Sequence, residues 1–412
     1  MKDSDSLLSQ LDFRRVWLAG LCGGTIRWLD VVVIGIYVFE VTHSAFQASF
    51  IATLRFLPFA PAGPILGFIA ERFGLRRTYF ALMVLVLATA LVQGLLALAG
   101  RLEVWHLAVG SFLSGFHWAA ELPLRRTLLA AQAPPLKLVP AMALDSMTNN
   151  ITKMVGPLVG GVILQAVGLS GTFGLAVVLH GITLAQIRAL APEPPLPRRE
   201  TGFFRNLREG FAIARGNRMV MLALGLSLVF NLFGFPAVSM IPVIGEQRLE
   251  LSAAMIGVLT AAEGIGAVVG SLLVVRFGSH LRYHGRFFAL GIIFFMLMMD
   301  LVSFSASFSM AAWSLLGAGL GMACFSTMQS TLVLMASPEE TRGRLMGLLS
   351  VFIGVGPLGF LLLGWMAEHL GAAMAVQIMV LEGLISWVLV CWLLRDVILI
   401  PSSRLLRPKP QE

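Results

Sequence analysis

Apolar residues come in unbroken runs along this chain, with short polar connectors between them. Runs of about 20 residues are long enough to cross a hydrocarbon layer as helices. Twelve spans are predicted, near 16–39, 46–70, 78–99, 104–123, 140–167, 171–190, 218–243, 252–275, 286–306, 309–335, 344–369 and 372–395. The fold class expected is an all-α polytopic membrane protein, because helices satisfy their own backbone groups where water is absent.

Composition agrees with the pattern. The 412 residues are 57% hydrophobic and 13% charged, against about 25% charged in soluble domains. Basic residues orient the spans. Of 30 Lys and Arg residues, Arg101 and Arg248 fall in loops on one side, and Arg27, Arg55 and Lys153 fall within spans. All the others fall on the opposite side, which is therefore cytoplasmic and carries both termini. The net charge of +8 reflects loops facing anionic headgroups and implies a lipid bilayer, not nucleic acid, as partner. Cys22, Cys324 and Cys391 sit inside apolar runs, so neither a disulfide nor a metal site is expected. Met1–Phe13 is polar, with Asp3, Asp5 and Asp12, which does not fit a cleavable signal peptide.

The chain divides around its longest polar stretch. Residues 1–190 form an expected N-terminal six-helix half, 191–217 a cytoplasmic linker, 218–396 a C-terminal six-helix half and 397–412 a tail. In the linker, Phe203, Phe204, Leu207 and Phe211 recur at helical spacing beside Arg205, Arg208 and Arg215, which predicts an interfacial amphipathic helix. The halves read as a repeat. RTLLAAQAP from Arg126 to Pro134 aligns with STLVLMASP from Ser330 to Pro338, and Gly156-Pro157-Leu158 recurs as Gly356-Pro357-Leu358.

Ionisable groups at membrane depth are costly and mark function or pairing. Arg27 and Asp30 lie three apart in the first span, which suits a substrate or proton site and equally a self-neutralised pair. Arg55, ahead of Pro58, Pro61 and Pro64, suits an architectural pairing or a substrate contact. His117 and Glu121 share a helix face; His117 is a candidate proton relay or a packing residue, and Glu121 a terminal ion pair with Arg125. Asp145, Asn149 and Lys153 form a polar stripe expected to line a cavity. Glu263 sits mid-span between small neighbours, with Asn231 and Gln329 as hydrogen-bonding candidates. No nucleophile–base motif, metal cluster or phosphate loop is visible, so neither an enzyme nor a cofactor is expected.

One short connector is more specific. GFIAERFGLRR, from Gly67 to Arg77, joins two spans in a tight basic hairpin. It resembles the loop between helices 2 and 3 of major facilitator superfamily transporters, with Glu71 in place of the common Asp. The stretch PLRRTLLAAQAP from Pro123 to Pro134 and the helix-5 pattern Gly156-Pro157-Leu158-Val159-Gly160-Gly161 resemble the branch containing the enterobactin exporter and macrolide efflux proteins. In the helix-5 pattern the glycines allow close helix approach and Pro157 bends the span.

The resemblance implies alternating access in a monomer driven by a proton gradient, in a bacterial inner membrane. It also implies a cytoplasmic gate at Gly67, Glu71, Arg72, Gly74, Arg76, Arg77, Arg125 and Arg126. The expected substrate site is Arg27, Arg55, Asn149, Lys153, Asn231 and Gln329, and the proton carrier is sought among Asp30, Glu263 and His117. The cation cluster suggests an anionic or polyhydroxylated small molecule: a siderophore first, a drug such as a macrolide second. Import of a small metabolite and flipping of a lysophospholipid are the alternatives.

Overall fold

The computed structural model describes residues 7–59, 69, 72–132, 138–190, 203–277, 281–399 and 401, and every regular element among them is helical. Contacts group the chain into two units, Met1–Arg199 with Glu250–Ala261, and Glu200–Leu249 with Ala262–Glu412.

The first unit holds α1 (Leu11–Thr42), α2 (Ala45–Phe56), α3 (Leu75–Leu98), α4 (Val104–Gln132) and α5 (Leu138–Arg188). α1 ends at His43, which has φ 51°, and Ser44 then caps α2 by accepting the Gln47 N–H at 3.1 Å. α5 contains both spans expected near 140–167 and 171–190. Its helical dihedrals break only at Gly168 (φ 75°, ψ −171°), a left-handed φ that glycine adopts without a Cβ clash. The turn between the two spans falls at this glycine, and Pro157 lies inside the helix before it.

The second unit begins with α6 (Phe203–Arg215) and α7 (Arg218–Val229). α7 runs on through a π-helical turn, Phe230–Gly234, and a 3-10 turn, Phe235–Met240, into α8 (Ile241–Gln247). Pro236 and Pro242 supply no N–H to the helical ladder along this stretch. Then follow α9 (Ala253–Phe277), α10 (His284–Phe304), α11 (Phe308–Met335), α12 (Glu339–Ile353), α13 (Gly356–Leu370), α14 (Ala372–Leu393) and α15 (Arg395–Ile398). The first turns of α9 belong to the first unit.

Among the described residues, 9 helical stretches are long and apolar enough to cross a membrane. One of them, Leu144–Arg188, covers two of the expected spans. The span expected near 46–70 lies partly outside the described residues, and the one near 104–123 is the upper part of α4. Outward side chains such as Leu98, Trp313, Leu358 and Trp392 are exposed, as a bilayer-facing surface requires.

The amphipathic linker helix forms as α6. It packs on α12 through small residues: Ala214 is buried, and a Cβ on Gly210 would stand 3.0 Å from the Arg344 carbonyl oxygen. Glu209 pairs with Arg344 at 3.2 Å.

Close helix approach also sets the polar interior of the first unit. A Cβ on Gly115 of α4 would lie 1.9 Å from the Arg55 carbonyl oxygen, so α2 lies directly on α4. Gly115→Val is therefore expected to force α2 away. Overpacking of this kind costs about 1–3 kcal/mol, and a lowered melting temperature in detergent checks it. An unchanged melting temperature would show that the two helices are not held in this contact.

Candidate functional site

The polar face of α4 carries Ser114, His117, Trp118, Glu121 and Arg125 at spacings of three and four, while the rest of the helix is largely apolar. α1 and α5 close over this face, because Gly156 and Gly160 let the backbones meet. A Cβ on Gly156 would stand 2.8 Å from Trp28 Cβ, and one on Gly160 would stand 2.8 Å from Val33 Cγ2. Gly161 faces the first turns of α9, where a Cβ would lie 2.5 Å from the Ala253 carbonyl oxygen.

An ion ladder runs through this interface. Arg27 Nη2 donates to Glu121 Oε2, and its Nη1 donates to Asn149 Oδ1 at 3.3 Å. Arg125 Nε donates to Glu121 Oε1 and its Nη1 to Asp145 Oδ1. Arg126 Nε reaches Asp145 Oδ2 at 3.1 Å, and the Tyr79 hydroxyl donates to Glu121 Oε1 at 3.5 Å. Arg27, Glu121, Arg125 and Asp145 are all buried. Buried charges persist only when paired and hydrogen-bonded, and here each acid meets two guanidinium groups. Arg27 also stacks over Trp118, 5.0 Å from the ring centre, and Lys153 Nζ stands 5.2 Å over Trp28.

A second pair lies one turn along α1. Asp30 Oδ2 is 3.7 Å from Arg55 Nη2, so the two are ion-paired without a hydrogen bond. The Asp30 side chain keeps 15% of its surface exposed, whereas Glu121 keeps none. The Arg27–Asp30 pairing left open by their spacing does not form; each finds its partner on another helix. Beside Asp30 is a cavity of about 20 Å³ lined by Gly23, Ile26, Arg27, Asp30, Arg55, Val86, Ser114, His117, Trp118 and His180.

The second unit presents a neutral counterpart. The offset that aligns Arg126 with Ser330 also aligns Arg27 with Asn231, Glu121 with Phe325 and Arg125 with Gln329. Asn231, in the π-helical turn, donates to the Ser227 carbonyl at 2.8 Å, and Gln329 donates to the Ser227 hydroxyl at 3.2 Å. Phe325 stacks on Phe230 with ring centres 3.7 Å apart. Hydrogen bonds and an aromatic stack replace the ions. Glu263 is buried in α9, 1% exposed.

Gly67 and Glu71 lie outside the described residues. Arg72 stands 5.6 Å over the Phe73 ring, Gly74 (φ 86°) precedes α3, Arg76 donates to the Leu190 carbonyl, and Arg77 is exposed. Arg125, counted among the cytoplasmic cations by its place in the sequence, is 2% exposed and belongs to the ladder. Sequence reasoning passed over His180, Trp28, Trp118 and Tyr79. His180 carried the signal that singled out His117, a histidine inside an apolar run. The aromatic residues carried none, since most aromatics in spans face lipid or pack.

A family model described as transmembrane secretion effector matches residues 5–398. Macrolide efflux protein A of Streptococcus pyogenes is 22% identical over 370 residues, covering 88% of this chain and 91% of that protein. The enterobactin exporter of Escherichia coli O1:K1 / APEC is 27% identical over 227 residues, covering 54% of each. Among solved structures, the POT family transporter PepTSo aligns with a TM-score of 0.75 at 12% identity, covering 94% of this chain and 98% of that one. A bacterial homolog of the human lysosomal transporter Spinster aligns with a TM-score of 0.67 at 15% identity, covering 97% and 99%. At these identities the solved structures establish a shared fold.

Proposed function

This chain belongs to the MFS_3 family of transmembrane secretion effectors within the major facilitator superfamily, and on that premise we propose that it is a proton-coupled exporter of small molecules. The setting proposed is a bacterial inner membrane, with both termini cytoplasmic and the monomer as working unit. The observation that carries the coupling is the Asp30–Arg55 pair. A proton carrier needs a carboxylate that a proton can reach and that has a partner to return to. Asp30 is partly exposed, held by one guanidinium and bound by no hydrogen bond from it. Glu121 differs, since both its oxygens are engaged.

The substrate class proposed is a siderophore. Lys153 and Trp28, with the buried Trp28 indole N–H, present a cation, an aromatic face and a donor together, which suits an anionic, ring-bearing, hydroxyl-rich molecule. A relative named for enterobactin export supports this reading. A macrolide is the second reading, because the relative named for macrolide efflux aligns over most of both chains.

Efflux from proteoliposomes of a catecholate siderophore, compared with a macrolide, tests both. Lys153→Ala is expected to weaken siderophore transport about tenfold, the equivalent of ~1.4 kcal/mol, and to leave a neutral substrate unaffected. Equal loss for both substrates would remove Lys153 from anion recognition, and transport of neither would remove the substrate class.

A further inference from the structure

The cavity beside Asp30 combines a shape and a chemistry that the ion pair alone does not explain. Three residues that line it each carry a buried polar atom with no hydrogen-bond partner among the described residues: Arg55 Nη2, His117 Nε2 and His180 Nδ1. Their residues are 4%, 6% and 7% exposed. Leaving such atoms unpaired costs about 1–3 kcal/mol each. A buried water typically makes about three hydrogen bonds and needs at least about 10–15 Å³; the cavity offers about 20 Å³. A water lying to one side of the Asp30–Arg55 pair, whose atoms stand 3.7 Å apart, can hydrogen-bond to both.

We propose that this cavity binds a single water, and that the water joins Asp30 and Arg55 to the His117–His180 pair as a proton relay. The inference rests on the coupling proposed above and names how a proton leaves its carrier. The proton on the Asp30 carboxyl passes to the water oxygen while one hydrogen of that water passes to His117 Nε2. The water is regenerated, Asp30 is left as a carboxylate beside Arg55, and His117 becomes an imidazolium. Recharging Asp30 runs the same step backwards.

The imidazole rings of His117 and His180 have centres 6.4 Å apart at 79°. Two imidazolium ions at that distance in a low-dielectric interior repel strongly, so the pair stores one proton at a time. Other charged or titratable groups face it from every neighbouring helix. These are Arg27 and Asp30 from α1, Arg55 from α2, Tyr79 from α3, stacked 6.4 Å from His117, and Glu121 from α4. Arg27 and Glu121 are held in the ladder together with Arg125, leaving the Asp30–Arg55 pair as the partner that changes charge.

The fold supplies a clean test. Gly23 lines the cavity, and a Cβ built on it meets nothing within 4 Å. Gly23→Ala therefore adds a methyl to the cavity wall and narrows the space left for the water without touching a polar group. The measurement is difference infrared spectroscopy of the full chain in liposomes, over a pH series from about pH 3 to about pH 8. Wild type is expected to show a water band that moves when heavy-oxygen water is exchanged in, together with a ring change assigned to His117 by its loss in His117→Gln. Gly23→Ala should lose both, and Gly23→Ser, which supplies a hydroxyl in the same space, should restore the His117 change alone. His180→Asn should keep the water band and shift the midpoint of the His117 change by about one pH unit or more.

Should Gly23→Ala fail to fold, Val86→Ile fills the same cavity from α3. A wild-type spectrum without the exchangeable band, a band that survives filling of the cavity, or a His117 change indifferent to His180 would each overturn the relay. These spectra need neither substrate nor gradient. A protein that passes them yet moves substrate without protons would overturn the coupling reading and leave the hydrated site standing.

Discussion

Glu121→Gln is expected to lose most of the folded protein. Glu121 is fully buried and holds two guanidinium groups, Arg27 from α1 and Arg125 from its own helix. Glutamine offers one acceptor oxygen in place of two and no charge, so Arg27 is left without a carboxylate, beside Asn149 at 3.3 Å and a nearby ring, while Arg125 keeps Asp145. Breaking one buried pair costs about 3–5 kcal/mol, a large fraction of the 5–15 kcal/mol that holds a typical soluble domain together. The check is the melting temperature and monodisperse yield in detergent of Glu121→Gln, against Arg27→Gln with Glu121→Gln. The double variant removes the orphaned cation as well as the acid, so it should recover much of the loss. A single variant as stable as wild type would mean that the ladder does not hold the α1–α4–α5 interface.

Asp30→Asn is expected to have the opposite character: a folded protein that no longer uses the gradient. Asp30 is partly exposed and an amide of the same shape keeps its packing, but it takes from buried Arg55 the carboxylate 3.7 Å away, so the melting temperature measured alongside separates lost coupling from lost fold. What it removes is a group that can carry a proton. Substrate-dependent proton movement in proteoliposomes should fall to the level of passive leak, while substrate exchange across equal pH persists. Glu263→Gln, in a buried acid of the second unit, is the comparison. Coupling that survives Asp30→Asn and disappears in Glu263→Gln would move the carrier to α9. Survival in both variants would remove both acids.

The charge asymmetry between the units gives these two results a common frame. Aligned positions carry Arg27, Glu121 and Arg125 in one unit and Asn231, Phe325 and Gln329 in the other. The charged unit is where Asp30, Arg55, His117 and His180 surround one cavity. At the corresponding positions the second unit, which also buries Glu263, meets the same need for satisfied polar groups with Ser227, Asn231 and Gln329.

The sequence by itself determined the class of protein and much of its local structure. A run of apolar residues long enough to cross a bilayer has essentially one stable backbone there, a helix. The amphipathic helix before α7 was legible for a related reason, since residues three and four apart share a face whatever surrounds them. The Glu121–Arg125 pair, four apart on one helix, was legible too and forms, but only the tertiary structure decided which charges meet across helices. Arg27 has Asp30 three residues away, yet it pairs with Glu121, 94 residues on, and Asp30 pairs with Arg55 from α2. Arg125 reads as a cytoplasmic cation from its neighbours and is instead buried between Glu121 and Asp145. Helical periodicity acts along the chain and survives any packing, whereas ion pairing depends on atoms brought within about 4 Å. Inside this bundle those atoms come from different helices, placed by glycine contacts such as Gly115 on Arg55 that no local pattern encodes.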